Sequence, residues 1–177
     1  MSPPFASVLA RRRVSLGFVF AVAVLYFSNP TRESLAIGTV VGLVGEVIRL
    51  WAAGHLEKSR EVTTSGPYRF TRHPLYLGSS ILGLGVAIAS RSLIVALLMF
   101  AYMASTITAA IRTEEAFLRT QFGDAYDAYA GSRGPAADRR FSVERAWRNR
   151  EYRAVAGFGI FVLLLVGRMW LKSRGVI

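Results

Sequence analysis

A chain of 177 residues, 53% of them hydrophobic, has room for one domain, and its apolar residues fall in blocks long enough to argue against a soluble fold. The formal charge is +11, from 22 Lys+Arg against 11 Asp+Glu, but the cations flank apolar blocks without any nucleic-acid-binding pattern, so anionic lipid headgroups are the expected partner and nucleic acid is set aside. The absence of cysteine excludes disulfides, thiolate metal sites and cysteine nucleophiles.

In chain order, Arg11-Arg12-Arg13 precedes an apolar run over 14–28 that ends at Asn29-Pro30. With no small-residue cleavage site before that stop, the run is expected to be a first transmembrane helix with a cytoplasmic N-terminus rather than a signal peptide. A second span is expected over 34–54. Within it Gly38 and Gly42 are spaced for close helix approach, and Glu46 and Arg49 lie three apart, so that they can pair in the membrane. Residues 55–73 form a basic loop, expected to be cytoplasmic. Spans over 74–89 and 93–111 follow, joined only by Ser90-Arg91-Ser92. So short a joint forces an antiparallel hairpin, which returns Arg112-Thr113-Glu114-Glu115 to the side that holds His73.

Thr113 to Ala130 reads as a cytoplasmic helix broken at Gly123 and restarted at Asp124. Residues 133–153 are rich in arginine, with Phe141 and Trp147 interleaved, and are expected to lie on the anionic inner leaflet. A fifth span is expected over 154–171, with Arg168 snorkelling and Trp170 at the interfacial belt. The expected fold is therefore all-α: a single membrane domain over 1–177 with about five transmembrane helices and cytoplasmic catalytic segments over 55–73 and 112–153.

Two clusters of functional groups meet at one membrane face. Pro74 suits the first turn of a helix and holds His73 extended, and the free N–H groups of that helix start suit a carboxylate. Tyr68 and Tyr76 add ring faces and hydroxyls. Across the hairpin, Glu114 and Glu115 could hold a cation, an amine or ribose hydroxyls, and Arg112 could clamp a carboxylate through paired hydrogen bonds. Each residue alone also has an ordinary structural reading, as cap, belt residue or helix-end charge. Their joint placement is what points to a site.

Thr64-Ser65-Gly66-Pro67-Tyr68, Arg72-His73-Pro74-Leu75-Tyr76-Leu77-Gly78, and Glu114-Glu115 followed by Phe122-Gly123-Asp124-Ala125-Tyr126-Asp127-Ala128-Tyr129 resemble the isoprenylcysteine carboxyl methyltransferase family and its wider relatives, the phospholipid N-methyltransferases. The resemblance covers roughly His55 to Ala130. It implies S-adenosylmethionine as methyl donor, bound from the cytosolic side by Glu61, Val62, Thr63, Tyr68, His73, Pro74, Leu75, Tyr76 and Glu114. It further implies Arg112 as the contact for an acceptor carboxylate, although its spacing to the glutamates is shorter than in the family. Glu115 could orient the acceptor or take a proton from an amine. The expected function is methyl transfer to a lipidic or hydrophobic acceptor, as carboxylate O-methylation or phospholipid-type amine N-methylation, at an inner membrane with the site facing the cytoplasm. No metal is called for. The alternatives are an NADPH-dependent reductase of the sterol-reductase type and a non-enzymatic membrane scaffold.

Overall fold

The computed structural model describes residues 20–131 and 138–175, and every regular element among them is helical. Helix α1 covers residues 20–27, and the rest of the first expected span, 14–19, lies outside the described residues. Helix α2 (Arg32–Ala53) opens on a capping box, in which Thr31 and Ser34 each satisfy the other's backbone N–H. After a short 3-10 turn at Gly66–Arg69 come α3 (Pro74–Ser90) and α4 (Leu93–Phe122), then α5 (Asp124–Ala130), α6 (Val143–Arg148) and α7 (Tyr152–Ser173).

Three of these helices, α2, α4 and α7, are long and apolar enough to cross a bilayer. Helix α3 has 17 residues, about 25 Å at 1.5 Å per residue, a little under a ~30 Å hydrocarbon core. Helix α4 departs from the expected division into a span and a separate cytoplasmic helix. Its 30 residues run unbroken to Phe122, about 45 Å in all, and so carry residues 112–122 out beyond the apolar part. The break does fall at Gly123, whose φ of +47° is a left-handed conformation that favours glycine.

The tightest contact is between α2 and α3, where glycines let the backbones touch. A Cβ at Gly85 would stand 2.5 Å from the Gly42 nitrogen and 2.6 Å from the Gly38 carbonyl, and one at Gly45 would stand 2.6 Å from the Gly78 carbonyl. In lipid, where apolar side chains have no water to escape, such close approach supplies much of the helix attraction. Gly85→Ala is therefore expected to lower stability by about 1–3 kcal/mol, read as a fall in melting temperature in detergent. Gly157→Ala, which meets nothing within 4 Å, should not; equal effects would mean the seam is not what holds the pair.

Helix α7 lies antiparallel to α2. Phe158 rests on Gly42, Leu165 is fully buried beside Leu35 and Ala89, and Arg168 donates to the carbonyls of Ser28 (2.7 Å) and Tyr26 (2.8 Å) at the end of α1. The residues after 137 also finish α2. That helix has no basic residue in its last turn, and a helix C-terminus leaves carbonyls unpaired and partially negative. Ser142 and Arg145 donate to the Gly54 carbonyl, Asn149 to those of Ala53 and Leu56, and Arg139 to that of His55. Arg145 and Arg148 also reach Glu57. Phe141, Val143 and Trp147 are left exposed on this segment.

Candidate functional site

The ends of α2 and α4 and the starts of α3 and α7 share one side of the bundle. At the opposite end Ser92 caps α4 after the tight turn at Arg91 (φ +46°), and the hairpin closes as its length requires. It brings the two sequence clusters into contact. The His73 Nε2 lies 3.0 Å from the Glu115 Oε1, and Arg72 reaches the same oxygen at 3.4 Å. One turn along, the Tyr76 hydroxyl and the Glu114 carboxyl lie within electrostatic reach of each other. The His73 hydrogen bond above all holds the Glu115 carboxyl below the usual carboxylate range; burial opposes it, and the charge of Arg72 adds a lesser lowering effect.

His73 is the N-cap residue of α3, with Pro74 at the first helical position. Its backbone carbonyl accepts from the N–H groups of Tyr76 (3.1 Å) and Leu77 (3.0 Å), which holds the residue rigidly while its ring stands 5.8 Å from that of Tyr76. With Nε2 facing Glu115, the other nitrogen, Nδ1, is buried and has no partner among the described residues. The Ser65 hydroxyl, on the loop just before the 3-10 turn, is buried and unpartnered in the same way. Buried polar atoms are nearly always satisfied, so each of the two is a candidate for contact with a bound ligand.

Tyr68 is buried beneath this loop, and its hydroxyl pKa is raised, first by burial and then by the negative charge of Glu114. Helix α5 folds back over it. Tyr129 donates to the Tyr68 carbonyl at 2.9 Å, and its own hydroxyl is pushed up to about 12 by burial. Tyr126 is buried with Arg119 over its ring. Arg72, Tyr126 and Tyr129 are parts of the cluster not singled out as site residues from sequence; the tyrosines' three-residue spacing after Gly123 was the available signal.

The remaining expected residues are spread more widely. Pro74 is buried, and Leu75 and Val62 are half-buried. Thr63 is buried and accepts from the Glu57 N–H at 3.2 Å, while Glu61 is held by Arg139 at 2.5 Å. Arg112 is exposed and makes no hydrogen bond or ion pair among the described residues, so the structure does not draw it into the His73–Glu115 cluster. The pairing of Arg49 with Glu46 is not formed. Arg49 turns to Glu151 at the start of α7, with contacts of 2.8 and 3.0 Å, and also donates to Ser79. A bidentate carboxylate in line with the guanidinium outcompetes one that shares its helix.

The sequence model of the phospholipid methyltransferase family matches residues 36–125, half of the chain and the stretch from α2 to the start of α5. Over 157 residues the chain is 31% identical to the cobalt-zinc-cadmium resistance protein CzcN of Cupriavidus metallidurans, covering 82% of this chain and 72% of that one. It is 28% identical over 187 residues to the nickel-cobalt-cadmium resistance protein NccN of Alcaligenes xylosoxydans xylosoxydans, covering 98% and 84%. A shorter match, 34% over 77 residues, covers 44% of this chain and 33% of the protein-S-isoprenylcysteine O-methyltransferase of Schizosaccharomyces pombe. No solved structure matches the chain.

Proposed function

We propose that this chain, which belongs to the phospholipid methyltransferase family, moves a methyl group from S-adenosylmethionine to a lipidic or hydrophobic acceptor at the His73 side of the bundle. The observation that carries the reading is His73 itself: a ring fixed by Glu115 across the hairpin, at a helix start, with a buried free nitrogen. When bound, S-adenosylmethionine supplies a methyl carbon on a sulfonium, open to in-line displacement without a covalent enzyme intermediate. His73, Ser65 and the first turn of α3 offer polar contacts for its amino-acid end, and Tyr76 and Glu114 present a hydroxyl and a carboxylate beside them. Val62, Thr63, Tyr68, Pro74 and Leu75 would wall the cofactor, and Glu61, held by Arg139, would stand at its rim. Glu115 acts through His73 by holding the ring, and Arg112, exposed on the same helix, is free to meet an acidic acceptor group. Positioning and exclusion of water are the main aids such a displacement needs.

The same reading treats residues 1–177 as a single membrane domain of about five spans, counting α3 and the run over 14–28. It sits in an inner membrane with the site toward the cytoplasm and the exposed Phe141, Val143 and Trp147 on the anionic leaflet. Two relatives carry metal-resistance names. Among the described residues no group of three or more His, Asp or Glu side chains is gathered, and a part in resistance would run through a methylated membrane component. The test is isothermal titration of the detergent-purified protein with S-adenosylhomocysteine and, separately, NADPH. Saturable binding of the former, weakened about tenfold or more by Glu114→Ala, is expected. Binding of NADPH alone would replace the reading with a reductase, and binding of neither would leave the cluster structural.

A further inference from the structure

The loop between α2 and α3 carries Val62, Thr63 and Tyr68, yet the 3-10 turn at Gly66–Arg69 is its only regular element. Its tip is strained, for Ser59 stands at φ +60°, a left-handed angle uncommon for a residue other than glycine. Such a loop keeps one shape only where its surroundings hold it. Two elements do so. From α4, the Gln121 Nε2 donates to the Ser59 carbonyl at 3.0 Å. From the segment after 137, Arg139 donates to the His55 carbonyl at 3.3 Å and pairs with Glu61 at 2.5 Å. One guanidinium thus bridges the start of the loop to its middle. Within that bridge the Glu57 N–H donates to the Thr63 Oγ1 at 3.2 Å, and the Glu57 carboxylate meets Arg145 and Arg148. Where Arg139 holds Glu61 therefore sets where Val62 and the buried Thr63 stand.

Finishing α2 accounts for Ser142, Arg145 and Asn149, which donate to the carbonyls of Gly54, Ala53 and Leu56. It does not account for the hold on Glu61, which lies well beyond the C-cap at Gly54. Nor does stability account for it: the Glu61 side chain is 42% exposed, and a pair so open to water adds little to folding. What the pair does fix is the shape of the loop. In-line displacement needs the reacting atoms aligned, so a shift of ~1 Å in a wall of the site is costly to a bound donor. Arg139 also lies outside residues 36–125, the stretch matched by the family model, so the contact is an addition to the family's own part of the chain.

We propose that Arg139 is a positioning residue for the methyl donor, setting the Val62–Thr63 wall through Glu61, and that Glu61 serves as its anchor rather than as a contact of the donor. The assignment rests on the methyl-transfer reading. It is tested by isothermal titration of the full chain in detergent with S-adenosylhomocysteine, comparing Arg139→Glu, Glu61→Arg and the variant that carries both. Each single change sets like charges side by side and is expected to weaken binding about tenfold. Exchanging the two charges restores the pair and should return affinity to within about threefold, the remainder being the lost donation to His55. Melting temperatures should hardly move, as befits an exposed pair. Single variants that bind as well as the unaltered protein overturn the assignment. So does a double variant as weak as Glu61→Arg alone, because Glu61 would then touch the donor itself. If a charge reversal does not fold, Arg139→Gln, Glu61→Gln and their combination decide: losses that fail to add uphold the pair, and losses that add, or no loss, overturn it. Unaltered protein that binds no S-adenosylhomocysteine overturns the methyl-transfer reading, and the assignment with it.

Discussion

His73→Ala is expected to weaken binding of S-adenosylhomocysteine by about thirtyfold, the equivalent of ~2 kcal/mol for one buried, charge-assisted hydrogen bond. The ring does two things at once: Nε2 meets Glu115 at 3.0 Å, and Nδ1 stands buried and free. Two smaller substitutions separate them. Asparagine places a polar atom where Nδ1 is and cannot reach Glu115; glutamine reaches toward Glu115 and leaves the Nδ1 position empty. If Nδ1 contacts the ligand, His73→Asn keeps more affinity than His73→Gln. The reverse order would mean that the ring matters only as a strut for Glu115. The same pair sets a pH dependence. The Glu115 pKa is depressed in the folded protein, so its contribution to stability is complete above the ordinary carboxylate range and is lost as pH falls through the depressed value. Ligand affinity should thus be flat through neutral and mildly acidic pH and decline only below that range. Glu115→Gln should remove the acid-sensitive limb; a limb that survives Glu115→Gln would mean that this carboxyl does not set it.

How much of this was legible in the sequence depends on whether a feature is decided locally. The α3–α4 hairpin was, because a three-residue joint between two long apolar runs admits no other path, and the His73–Glu115 contact follows from it. The break at Gly123 was also local, being a matter of one backbone angle. The helix after Arg112 was legible but its continuity with the span before it was not, since the change from apolar to polar there reads as the end of a span, whereas a helix that has already nucleated continues through the good helix formers that follow. Nor could the arginines of 139–148 be told from headgroup anchors. Their task of finishing α2 depends on where the chain returns, and no spacing records that. The partner of Arg49 was hidden for the same reason: Glu46 is one turn away in sequence, whereas Glu151 arrives only when α7 docks.

Removing Arg49 should be the most destabilising change in the bundle. Its guanidinium and the Glu151 carboxylate are largely buried, at 20% and 9% side-chain exposure. A buried pair of this kind adds little over an apolar pair of the same size, because desolvation offsets the attraction. Breaking it from one end is another matter, for the surviving charge is left without a counterion at a cost of about 3–5 kcal/mol. Arg49→Met strands the Glu151 carboxylate and takes a nearby positive charge from the already unpartnered Glu46, and is expected to cost the upper part of that range, a fall of roughly 10 °C or more in melting temperature for a chain of this size. Glu151→Gln should cost clearly less, because Arg49 can swing one turn to the unpartnered Glu46. Adding Glu151→Gln and Glu46→Gln to Arg49→Met should restore much of the loss, since no uncompensated charge is then buried. Thermal unfolding of the four proteins in one detergent reads all of this. If Arg49→Met and Glu151→Gln cost the same, Glu46 is no reserve partner for Arg49. If neither costs more than about 1 kcal/mol, the size of an exposed pair, water reaches the seam and the charges there are not buried in solution.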